Sequence, residues 1–152
     1  MTKGTWFEHT YAGVKSLTVN PITNCPTEVA GDLYTADQKT HYQLKFMNAT
    51  VRDIYRLLPG AESIADQTEA LERTLEAAKF DYLVIGWTYR NKLMTASIER
   101  QTAIKMLTTE TALWKVERDS KKNGGKEKFR TNFNQKNANI IRQYAKIEEL
   151  EV

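Results

Sequence analysis

Two histidines, one cysteine and one run of cations are the places in this 152-residue sequence where chemistry could begin. His9 sits within Phe7-Glu8-His9-Thr10-Tyr11, and His41 opens the segment His41 to Met47. Two histidines meeting across a sheet could serve as acid and base, because imidazole titrates near neutrality. Neither has a flanking pattern that defines such a site, and a surface histidine and a hydrogen-bonded, semi-buried one account for both. Cys25 stands alone before Pro26. One thiol makes no internal disulfide and leaves four-ligand Cys/His zinc sites out of reach. It reads as a small half-buried side chain beside a turn, and it suits a reducing compartment.

Gly124-Gly125-Lys126 lacks the upstream glycine of a phosphate loop, and Glu127 stands where a magnesium-binding Ser or Thr belongs. A di-metal carboxylate bundle needs histidines, and none follows His41. The sequence therefore assigns no catalytic residue, no metal ligand and no cofactor.

The cations are the better lead. Net charge is +3 overall, yet residues 115–136 hold eight cations against three carboxylates, a local net of +5. Lys121, Lys122, Lys126, Lys128, Phe129, Arg130, Phe133 and Lys136 interleave charges that neutralise phosphates with rings that stack unpaired bases. The competing account puts Phe129 and Phe133, four apart, on one helix face against the core, with the cations solvated outside.

The elements that would position these groups read as α+β, mainly α. A short β-containing part spans residues 1–47, a helical core 48–120, a basic loop 121–136 and a C-terminal helix 137–152, all in a single domain. Pro21, Pro26, Gly4, Gly13 and Gly31 supply turn chemistry to the first part. Tyr42, Leu44 and Phe46 alternate with His41, Gln43 and Lys45, the pattern of a half-buried strand. Val51, Ile54, Tyr55 and Leu58 form an amphipathic stripe that Pro59-Gly60 ends.

Ile64, Leu71, Ala78 and Ile85 then recur at seven-residue intervals, with Thr68, Leu75, Tyr82 and Tyr89 between them, as in a long helical hairpin or bundle. Phe80, Leu83, Val84 and Trp87 fall off that seam, so a helix there would be buried on most sides. A buried strand from Tyr82 to Trp87 is the competing assignment, since Gly86 is a poor helix former. Ile140, Ile141, Tyr144, Ile147 and Leu150 line one face of the expected last helix.

At 41% hydrophobic and 27% charged residues, the composition is that of an ordinary globular protein. A run of about 18 apolar residues is missing and the first residues lack a signal peptide's apolar core, so a cytoplasmic location is expected, or a virion if the source is viral. The generous apolar surface around Tyr82, Trp87 and Tyr89 points to self-association or a protein partner. The expected function is therefore a non-enzymatic interaction or structural protein, an oligomeric subunit or accessory factor of a viral or phage-type assembly. Nucleic-acid binding through residues 121–136 is the alternative, and a small enzyme using His9 or His41 the third; no membrane partner is expected.

Overall fold

The computed structural model describes residues 3–19, 32–47, 80–118, 127–131 and 138–151. Among them, helix α1 (Lys3–Lys15) leads into strands β1 (Thr18–Val19), β2 (Leu33–Tyr34), β3 (His41–Phe46), β4 (Tyr82–Tyr89) and β5 (Lys92–Glu99). Helix α2 (Arg100–Thr109) follows, then a 3-10 turn at Thr111–Leu113, strands β6 (Trp114–Arg118) and β7 (Glu127–Thr131), helix α3 (Ala138–Tyr144) and strand β8 (Lys146–Leu150). Six strands form one mixed sheet in the order β1-β2-β3-β4-β5-β8, and β6 and β7 form a separate ribbon. β3 and β4 run parallel, and the other neighbours in the main sheet are antiparallel.

This corrects the mainly helical expectation: a six-stranded mixed sheet dominates, and no long helical hairpin appears among the described residues. The physical reason is plainest at β4. It lies inside the sheet, and Leu83, Val84, Ile85 and Trp87 are buried as they alternate between its two faces. A central strand covered on both sides shows no period of 2, so its apolar run imitates an all-round buried helix. β5 pairs with β4 along its whole length, from Tyr82 opposite Glu99 to Tyr89 opposite Lys92. Arg90 and Asn91 join them, with φ of 51° and 63°. Two successive left-handed residues make the hairpin turn whose twist matches the strands.

The expected C-terminal helix is likewise split. α3 ends at Tyr144, whose hydroxyl donates to Glu110 Oε1 at 2.6 Å, and Ile147 and Leu150 belong to edge strand β8. At the other end the structure has a helix where a strand region was expected. Phe7 and Tyr11, four apart, share the buried side of α1 and meet at 5.9 Å. Leu17 N–H closes the helix by donating to Ala12 O at 2.9 Å, around Ser16 at φ 56°. The expected helices at 48–58 and 64–79 lie outside the described residues.

Helices cover both faces of the sheet. Leu83, Ile85, Trp87, Ala96 and Ile98 pack with Ala103, Met106 and Leu107 of α2 and Ile141 of α3. Leu44, Phe46, Val84 and Leu93 pack with Phe7, Tyr11 and Ala12 of α1. No helix among the described residues is long and apolar enough to cross a membrane.

Candidate active site

Around the β2–β3 hairpin, Asp32, Gln43 and Lys45 lie on the sheet face of Leu83 and Ile85, while Glu8 stands on α1, which covers the other face. The hairpin is closed by its own turn: Thr35 N–H donates to Thr40 O at 3.0 Å, and Asp37 Oδ1 accepts from Thr35 Oγ1 at 2.6 Å and from Lys39 N–H at 3.0 Å. Leu33 pairs with Tyr42, which sets Asp32 opposite Gln43. Asp32 Oδ2 accepts from Gln43 Nε2 and from Leu44 N–H, both at 2.9 Å. Lys45 follows two residues along β3, on the side of the strand that Gln43 occupies. Glu8 comes from α1, one residue after Phe7, whose ring is anchored against Phe46 at 5.4 Å.

Burial, and then the charge of Asp32, push the Glu8 carboxyl up to about 7, against a partial offset from Lys45. Burial also raises Asp32, opposed by the Leu44 N–H and by Lys45. Shifts of this kind arise in structural ion-pair networks as well as in functional sites, so they assign no chemistry by themselves. Among the described residues no group of three or more His, Cys, Asp or Glu side chains converges to hold a metal ion.

A cleft of about 320 Å³ lies at the other end of β3, lined by Thr40, Asp81, Tyr82, Glu99, Arg100 and Gln101. Its Asp81 is used structurally, accepting from His41 N–H at 2.7 Å.

The residues singled out from the sequence are dispersed. His9 is exposed on α1; His41 is half-buried, its ring 6.3 Å from Tyr34. Tyr82 stacks on Tyr42 at 5.3 Å, Trp87 is 4% exposed within the core, and Tyr89 is 51% exposed with the Arg90 guanidinium 5.1 Å from its ring centre. Lys128, Phe129 and Arg130 lie on β7, a strand, so the shared helix face for Phe129 and Phe133 does not apply at Phe129. Lys121, Lys122, Lys126, Phe133 and Lys136 lie outside the described residues, as does Cys25. Glu8, Asp32, Gln43 and Lys45 were not singled out. The available signal was the polar face of β3, His41, Gln43 and Lys45, with Asp32 across the β2–β3 turn. Comparison with protein-family models, with curated proteins and with solved structures finds no match to the chain.

Proposed function

We propose that this protein is a non-enzymatic interaction protein that associates with itself or with a protein partner. The observation that carries the reading is aromatic surface left open to solvent, Tyr89 at 51% and Trp6 at 37% exposed.

The test is native mass of the full chain in solution. An assembly larger than one chain, or a complex with a protein partner, that Tyr89→Ser or Trp6→Ser weakens is the expected result. A monomer that binds no protein and is unchanged by Tyr89→Ser overturns the proposal.

A further inference from the structure

Strand β8 ends the main sheet, pairing with β5 from Leu93 opposite Leu150 to Ser97 opposite Lys146. Among the described residues no strand pairs with its outer edge. Glu148 O accepts from Thr95 Oγ1 at 3.4 Å, so that carbonyl points at β5. Backbone groups alternate sides along an antiparallel strand, so Ile147 and Glu149 turn their N–H and C=O outward. Side chains alternate between the two faces as well. Leu150 is buried in the core beneath α1, and Glu148 meets Lys15 of that helix, which puts Lys146, Glu148 and Leu150 on the α1 face. Half-buried Ile147 packs against the core beneath α2 and α3, and exposed Glu149 shares its face.

We infer that the outer edge of β8 pairs antiparallel with β8 of a second copy of this chain, about a two-fold axis through Ile147. The inference rests on the reading of an interaction protein and adds the partner and the surface. An open strand edge is a template for another strand, and charged side chains on it ordinarily block that pairing. A second copy lifts the block, because one register makes the charges complementary. Residues directly opposed across the two-fold axis share a face, so each register is centred on a single residue. Centred on Ile147, Lys146 faces Glu148 of the second copy, twice by symmetry, and Ile147 forms the central hydrogen-bonded pair through its outward backbone groups. Centred on Glu148, two Glu148 carboxylates oppose each other and Lys146 faces Leu150. Centred on Glu149, two Glu149 carboxylates oppose each other and Glu148 faces Leu150. Charge selects the first register.

The experiment is sedimentation equilibrium of the full chain over a series of concentrations, with circular dichroism to confirm that each variant is folded. Wild type should be a dimer that dissociates on dilution. Lys146→Glu and Glu148→Lys each turn two symmetric attractions into repulsions and should raise the dimer dissociation constant about tenfold or more. Lys146→Glu/Glu148→Lys restores the complementarity and should bring the constant back to within about threefold of wild type. Glu149→Pro removes an outward N–H at an exposed edge position and should abolish the dimer without unfolding the chain. A wild-type chain that is monomeric at every concentration overturns the inference. So does a dimer indifferent to the single charge variants, or one that the double variant fails to restore. A dimer lost in Tyr89→Ser and kept in every β8 variant sinks the β8 edge and keeps the aromatic surface. A dimer lost in the single β8 variants and kept in Tyr89→Ser and Trp6→Ser upholds the β8 edge and sinks the aromatic surface.

Discussion

The two faces of the main sheet are built from different materials. Beneath α2 and α3 the buried set is largely aliphatic: Met47, Leu83, Ile85, Ala96, Ile98, Ala103, Met106, Leu107, Leu113 and Ile141, with Phe80 and Trp87 as its aromatic members. Beneath α1, rings take a larger share: Phe7, Tyr11 and Phe46 are three of nine buried residues, with Tyr42 and Tyr82 packed beside them. Glu8, whose titration burial displaces upward, stands on α1 on this second side. A desolvated carboxyl adds nothing to stability, so the aliphatic face is set against one that carries an electrostatic cost.

That division can be broken first at Leu83, which is fully buried on the aliphatic face. Leu83→Ala should cost about 3 kcal/mol in urea unfolding with an unchanged m-value, the lost transfer energy plus the cavity. A cost under about 1 kcal/mol would mean that this face is loosely packed and does not dominate stability. The α1 face is tested next at Gly86. A Cβ there would stand 2.4 Å from Phe7 Cζ, 2.5 Å from Cε1 and 2.9 Å from Cε2. Phe7 is 1% exposed, so its ring has little room to retreat. Gly86→Ala should cost about 2 kcal/mol through overpacking. Adding Phe7→Leu should recover part of it, a negative coupling that double-mutant analysis reads directly. Strictly additive costs would place the strain elsewhere.

The Gly86 contact also shows what the sequence could and could not disclose. The strand at His41 to Phe46 was legible because it is covered unequally on its two sides and keeps its alternation: Leu44 and Phe46 are buried, Gln43 and Lys45 half-buried. β4 was not, because burial on both faces erases the period, and Gly86 looked like a weak helix position when it is the space Phe7 occupies. α1 was missed for a different reason: Phe7, His9 and Tyr11 alternate as well as a strand would, and only Phe7 with Tyr11 decides between period 2 and a helix face. The polar group of Asp32, Gln43 and Lys45 was illegible because it is assembled by a hairpin whose turn, with Gln38 at φ 60°, has no glycine at that position to announce it.

The smallest expected effect bears most directly on the division between the faces. In its folded setting Glu8 titrates near 7 rather than at 4.5. Between those values the native chain holds more protons than the unfolded one, so stability falls as pH rises through the window, and the whole cost is present above it. Glu8→Gln removes a carboxylate that must be ionised above that window. After discounting for partial exposure, the variant should be more stable than wild type by about 1 kcal/mol near pH 8. Near pH 4 both side chains are neutral and the difference should vanish. The measurement is a pair of urea titrations at the two pH values. A gain confined to the higher pH shows that the α1 margin carries a standing electrostatic cost that packing alone does not explain. Equal stability at both would mean that Glu8 is as well satisfied as any surface carboxylate, and the contrast between the two faces would then lose its electrostatic half.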